Sequence, residues 1–203
     1  MANTNVNLLS VSGKKRSGKN QVATFINEIL TERYGKDFQP YEEKAFAHLV
    51  KVFASMLTGV PLNGFETAED KATELGPEWA CYDKFGLRIP MTRRLFLQKL
   101  GTDACNTNLH KDTWINGLFQ DWLPEEKWIV TDVRFPQEVQ AIKQRKGIII
   151  RVTRPETDNN GDTHASETSL DKYTGFDYNI INDGTLDQLR DQVKSILLKI
   201  KLI

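Results

Sequence analysis

The stretch "NLLSVSGKKRSGKNQVATFI" (7–26) decides how the rest of the chain is read. Its first part, "NLLSVS" (7–12), is a short apolar run ending in small residues, which predicts a buried strand. Its last part belongs to "QVATFINEILTERYG" (21–35), where Val22, Phe25, Ile26, Ile29 and Leu30 share one helical face and Gly35 marks a stop. Between them lies Gly-x-x-x-x-Gly-Lys, formed by Gly13, Lys14, Lys15, Arg16, Ser17, Gly18 and Lys19. In such a loop the glycines let successive backbone N–H groups curl around phosphate oxygens. The helix N-terminus adds partial positive charge, and the lysine reaches the β- and γ-phosphates. A strand before and a helix after are the context that distinguishes this loop from a surface Gly/Lys turn.

The next position departs from the usual pattern, since Asn20 stands where Ser or Thr supplies a hydroxyl to Mg²⁺. An amide oxygen is also a hard, neutral donor, so Asn20 is a candidate metal contact, directly or through a coordinated water. Capping of the following helix is the plainer role for Asn20, and the two are compatible.

Composition limits the alternatives. The chain has 203 residues, 39% of them hydrophobic, which suits one compact domain with a core able to stand without staples. Lys plus Arg equals Asp plus Glu at 27 each, and this balance argues against nucleic acid as the main partner. Cys81 and Cys105 are far apart, which fits reduced thiols rather than a disulfide framework or a zinc site. The first residues lack the pattern of a signal peptide, and no apolar run has membrane-spanning length, so a cytoplasmic protein with no membrane partner is expected.

Strands alternate with helices along the remainder. "KAFAHLVKVFASML" (44–57), "TRRLFLQKLGTDACN" (92–106, with a break near Gly101) and "TWINGLFQDWL" (113–123) read as helices, and residues 58–92 as irregular. "KWIVTDV" (127–133), "GIIIRVT" (147–153) and "YNIIND" (178–183) read as strands, with helices over 136–146 and from 185 onward. This order predicts a mostly parallel sheet covered on both faces.

Four segments, in order, resemble the deoxynucleoside monophosphate kinases encoded by bacteriophages, within the P-loop nucleotide kinase superfamily. They are "LLSVSGKKRSGKNQVATFI" (8–26), "RLFLQKLGTDACN" (94–106), "IVTDVRFPQEVQAIK" (129–143), and "DTHASETSLD" (162–171) followed by "NIINDGTLDQL" (179–189). Asn20 and Gln21 stand where that family more often carries Asp-Thr. The resemblance implies a three-layer α/β P-loop kinase fold over 1–203, with a helical monophosphate-binding region over about 40–123 and a short lid over about 154–168. It implies transfer of the γ-phosphoryl group of ATP to a deoxynucleoside 5′-monophosphate, with Mg²⁺.

Site residues follow from position and resemblance together. Asp132 and Arg134 lie at the carboxyl end of a predicted core strand, where ligands bind in open parallel sheets. Asp132 is expected to order Mg²⁺ or its waters, or else to pair with Arg134 or a lysine. Arg134 is expected on the acceptor phosphate. By resemblance, Arg154 contacts ATP phosphates or stacks on adenine, and Asn182, Asp183 and Gly184 cradle adenine through backbone groups. Asp162, His164, Ser166 and Glu167 form a polar group read as lid-ordering, with Glu167 a substrate contact. Arg94 and Gln98 are one helical turn apart and share a face; the resemblance puts them at the acceptor phosphate and base, with Asp103 orienting one of them. Lys44, Phe46 and Trp114 are candidates for the acceptor-pocket wall, although aromatics at helical spacing are commonly core. Exposed apolar residues among 58–123 are where a homodimer would form.

Other readings stay open at this level: a P-loop kinase of another phosphorylated acceptor such as dephospho-coenzyme A or phosphomevalonate, a nucleotide-switch module, or a translocating ATPase. The guanine-specific Asn-Lys-x-Asp is missing, which counts against a GTPase. No G-x-G-x-x-G follows the first strand, which counts against a dinucleotide dehydrogenase.

Overall fold

The computed structural model of the chain describes residues 6–158 and 165–203, so Asp162 and His164 lie outside the described residues. The chain divides into two compact units, 1–45 with 121–203, and 46–120.

The first unit holds a parallel sheet. Numbered in chain order, its strands are β1 (Leu8–Ser12), β2 (Glu42–Lys44), β5 (Trp128–Val133), β6 (Ile148–Thr153) and β7 (Tyr178–Ile181). They run in the spatial order β2-β5-β1-β6-β7, every pair parallel. Parallel strands need crossovers, which α1 (Lys19–Tyr34) and α6 (Pro136–Gln144) supply, while α9 (Leu186–Lys199) follows β7. Side-chain alternation along the strands sends Leu9, Val11, Ile129, Ile150, Val152 and Ile180 to one face. There they pack with Val22, Ile26 and Ile29 of α1 and with Leu189, Val193 and Leu197 of α9. On the opposite face, Leu8 of β1 and Ile142 of α6 converge against Gly147. The result is a three-layer α/β sandwich, as the strand–helix alternation predicts.

β2 was not legible. Lys44 is expected in a helix, yet it ends a three-residue edge strand, EEK, that pairs with β5. Two glutamates and a lysine carry no strand propensity; pairing with an apolar neighbour decides their conformation. The helix begins two residues later.

The second unit is largely helical: α2 (Phe46–Thr58), α3 (Ala68–Ala72), α4 (Arg93–Gln98), a π-helical segment (Lys99–Leu109) and α5 (Thr113–Phe119), with a two-residue hairpin β3 (Cys81–Tyr82) and β4 (Arg88–Ile89). The region 58–92, expected to be irregular, thus contains α3, closed by a capping box between Thr67 and Asp70. The expected break near Gly101 does not occur. The helix instead widens into i→i+5 geometry, with Thr107 Oγ1 donating to the Thr102 carbonyl at 3.0 Å and Asn108 Nδ2 to that of Asp103 at 2.6 Å. The Gly101 carbonyl accepts the indole N–H of buried Trp114 at 2.8 Å. After β6, α7 (Pro155–Asp158) and α8 (Ala165–Thr168) flank the residues not described. Among the described residues no helix is long and apolar enough to cross a membrane.

Candidate phosphate-binding site

Register builds this site. β1 pairs with β5 so that Ser12 lies opposite Val133, and with β6 so that Ser12 lies opposite Arg151. The residues that follow, Gly13 and Arg134, therefore leave neighbouring strand ends side by side. Ser12 ties the three strands: its hydroxyl donates to the Val133 carbonyl at 2.8 Å and accepts from Arg151 Nη1 at 3.0 Å.

The loop turns on two glycines. A Cβ on Gly13 would lie 2.5 Å from the Val152 carbonyl oxygen, so the first glycine permits close passage over β6. Gly18 has φ 101°, the left-handed region, and immediately precedes α1. Arg16 also has a positive φ of 64°, unusual for a side chain of its size, which marks stored backbone strain in the loop. Lys19, the first residue of α1, folds back so that Nζ donates to the carbonyls of Gly13 at 2.8 Å and Lys14 at 2.7 Å. Burial lowers its pKa to about 8, reinforced by the positive charges of Arg134 and Arg151, while Glu167 and Asp132 act in the opposite direction.

Asn182, from the end of β7, reaches the loop through its side chain, donating from Nδ2 to the Ser17 carbonyl at 2.9 Å. Its backbone N–H donates to Thr153 at 2.8 Å. Asp183 and Gly184 complete the turn into α9, which is capped by Thr185 and Gln188.

Arg134 is fixed by a residue that sequence reading passed over. The buried carboxylate of Glu138 accepts the backbone N–H groups of Arg134 at 2.7 Å and Phe135 at 2.9 Å through one oxygen. Burial, and then the Asp132 carboxylate, raise the Glu138 pKa to about 8, against the pull of those two N–H groups. The Arg134 guanidinium pairs with Glu167, whose other oxygen accepts the Lys15 backbone N–H at 2.9 Å. Arg151 was also missed, although a lone cation within "IIIRVT" is a signal: a charge in a buried strand needs partners at the sheet's end. It reaches Asp171 at 3.9 Å, and Asp171 pairs with Lys14 at 3.2 Å. Arg154 pairs with Glu156 at 3.1 Å, and Lys44 pairs with Glu42 and lies 4.6 Å over the Trp128 ring.

The structure thus gathers Lys14, Lys15, Lys19, Arg134, Arg151, Asn182 and Glu167 around one loop. Asn20 is exposed, and its carbonyl accepts the Thr24 hydroxyl at 3.1 Å. Arg94, Gln98, Asp103 and Trp114 belong to the second unit. There Arg94 and Gln98 lie on α4, Asp103 lies on the π-helical segment, and Trp114 stacks edge-on against Phe53 at 5.8 Å. Among the described residues no three His, Cys, Asp or Glu side chains cluster as metal ligands. A Mg²⁺ ion asks for less: it keeps several waters and takes one or two carboxylates plus substrate phosphates. Asp132, within the field of Lys19, offers a hard oxygen of that kind.

A glycine loop of this geometry, between a strand and a helix of a parallel α/β sheet, belongs to the class suited to holding nucleotide phosphates. The sequence model of deoxynucleotide monophosphate kinases matches residues 83–193, more than half of the chain. The chain belongs to that family and is a phosphotransferase. It is 28% identical to a putative deoxynucleotide monophosphate kinase of Acanthamoeba polyphaga mimivirus, over 93% of this chain and 94% of that one. It is 25% identical to the deoxynucleotide monophosphate kinase of Enterobacteria phage T4, over 94% and 98% respectively. Among solved structures, a dephospho-CoA kinase from Campylobacter jejuni aligns with a TM-score of 0.43 at 13% identity, over 97% of this chain and 98% of that one.

Proposed function

We propose that the chain transfers the γ-phosphoryl group of ATP to a deoxynucleoside 5′-monophosphate, and that it does so at the loop of residues 13–19 with Mg²⁺ bound to the donor. The observation that carries this reading is the placement of Gly13 and Arg134 at the ends of paired strands, with Lys19 at the start of α1 turned back onto the loop's own carbonyls. Lys19 exchanges those carbonyls for the β- and γ-phosphates when the donor enters. The amides from Lys15 to Lys19 take the remaining oxygens, and Asn182 keeps the loop's curvature by its bond to Ser17. Arg134 holds the acceptor phosphate, because the planar fork of guanidinium N–H donors matches the phosphate oxygens that accept from it. Arg154 lies over the donor phosphates or adenine, and Asn182, Asp183 and Gly184 line the adenine side. Arg94, Gln98, Asp103, Trp114 and Lys44 are the further candidates for contacts to the acceptor.

Asp132 and Asn20 would hold Mg²⁺, directly or through waters, and the ion would supply charge neutralisation on the donor phosphates. An acceptor phosphate oxygen attacks Pγ in line, the bond from Pγ to the bridging oxygen breaks, and ADP leaves with that electron pair. The acceptor ionises unaided at neutral pH, so no side chain need remove a proton. The reading puts the enzyme in the cytoplasm, with homodimer contacts on exposed apolar side chains among 58–123, such as Tyr82, Phe85 and Leu109.

The test is phosphoryl transfer from ATP with Mg²⁺ to each deoxynucleoside monophosphate, followed by chromatography. Formation of diphosphate and ADP in equal amounts is expected for at least one base. Transfer to none of them, with transfer to dephospho-coenzyme A or phosphomevalonate instead, overturns the assignment.

A further inference from the structure

Glu167 occupies two hydrogen-bonding positions that a polyphosphate needs. Its Oε2 accepts the Lys15 amide of the loop at 2.9 Å, and its Oε1 accepts Nη1 of Arg134. The side chain is 7% exposed, so this carboxylate is held inside the site rather than lying on its rim. The same Arg134 nitrogen lies 3.4 Å from the Ser166 carbonyl, which ties α8 to the site through its backbone as well. Four residues on, Asp171 makes a second set of contacts of the same kind, to Lys14 at 3.2 Å and Arg151 at 3.9 Å. Two acids from one short segment thus face three cations and one amide of the phosphate cradle.

Carboxylate and phosphate oxygens compete for the same donors, because loop amides and guanidinium forks accept either. A single N–H cannot serve both fully. We propose that Glu167 is a built-in anion that holds the loop in the nucleotide-free enzyme, and that the polyphosphate of the donor must displace it, releasing α8 as it enters. This rests on the reading of the loop given above, and it differs from the substrate contact that the sequence suggests for Glu167. The advantage is electrostatic: buried Lys19 and half-buried Arg134 are compensated while the site is empty, and an uncompensated buried charge is costly. The consequence is an apparent donor affinity lowered by the fraction of molecules in which Glu167 has already left.

Inorganic tripolyphosphate, which carries the donor's phosphates without its base, is the probe. Its binding is measured by calorimetry on the full chain, on Glu167→Gln and on Lys19→Ala, with exchange of the Lys15 amide followed by NMR. Glu167→Gln is expected to bind tripolyphosphate about tenfold more tightly, the equivalent of losing one modest charge-assisted competitor. Its Lys15 amide is expected to exchange faster without ligand, and Lys19→Ala is expected not to bind. Glu167→Asp, one methylene too short to span both donors, serves if the amide variant fails to fold, and is expected to tighten binding likewise. Equal or weaker binding in the Glu167 variants, with wild type binding and Lys19→Ala not, overturns the displacement and leaves the loop assignment standing. No binding to wild type or to either Glu167 variant overturns the loop assignment, and the displacement with it.

Discussion

Asn182 and Ser17 are 165 residues apart in sequence, yet the Asn182 amide nitrogen donates to the Ser17 carbonyl at 2.9 Å. The bond joins the end of β7 to the middle of the phosphate loop. A Cβ on Gly18 would come 2.5 Å from that same nitrogen, so the glycine and the asparagine are fitted to each other. Asn182→Ala is expected to raise the KM for ATP about tenfold, the cost of about one hydrogen bond, while the KM for the acceptor changes little. Gly18→Ala is expected to be worse, because it adds a left-handed backbone penalty of about 1–2 kcal/mol to the clash. Steady-state kinetics with each substrate varied separates the two effects.

Lys19→Ala is expected to lower kcat/KM by about a thousandfold, as loss of a charge aimed at the transferring group does. The fold should persist, since Lys19 is a buried cation whose solvation cost disappears with it. Circular dichroism and single-turnover transfer check both halves, and near-normal transfer would falsify the loop assignment.

Arg134→Ala is expected to act chiefly on the acceptor, raising its KM about ten- to a hundredfold through loss of charge-assisted bonds to phosphate. The KM for ATP should move less. A variant with the reverse pattern would reassign Arg134 to the donor.

Lys19 gives donor binding a pH dependence of definite sign. With its pKa lowered to about 8, the ammonium has lost its proton in about half of the free molecules at pH 8 and in most of them at pH 9. Bound phosphates favour the charged form, so binding at pH 8–9 is expected to take up protons, and tripolyphosphate affinity should fall as pH rises through that range. Calorimetry in buffers of different ionisation enthalpy counts the protons. Proton release in place of uptake would contradict the burial of this amine.

Glu138 makes stability itself pH-dependent. Its folded pKa is raised to about 8, above the usual carboxyl value, so the folded chain holds a proton there that the unfolded chain has already lost. Between about pH 5 and 8 this group's contribution to stability is expected to fall as pH rises, and Glu138→Gln should flatten the slope. Melting temperatures of the two proteins across that range test it. The variant should also raise the acceptor KM, because Glu138 holds the backbone of Arg134.

The sheet was legible because its strands are apolar and its helices periodic: "NLLSVS", "KWIVTDV" and "GIIIRVT" match β1, β5 and β6 to within a residue or so. β2 was not, because Glu42–Lys44 borrow their conformation from β5. The loop's glycines and Lys19 were readable from spacing. Glu138 and Arg151 were not, since the role of Glu138 comes from capping the backbone at the start of its own helix, and that of Arg151 from the register that sets it beside the Ser12 hydroxyl. The π-helical segment was hidden too: glycine at 101 reads locally as a breaker, whereas its carbonyl is a partner for Trp114.

The second unit is one uninterrupted excursion, leaving the sheet after Ala45 and returning at Asp121. A connection of some 75 residues costs only about 2 kcal/mol more chain-closure entropy than a flexible one of ten. Whatever folds in that excursion can therefore be lengthened or trimmed with little change in the entropy of closing it. Grafting a relative's excursion between those two positions asks directly whether nucleobase preference travels with that segment, as the proposed function requires.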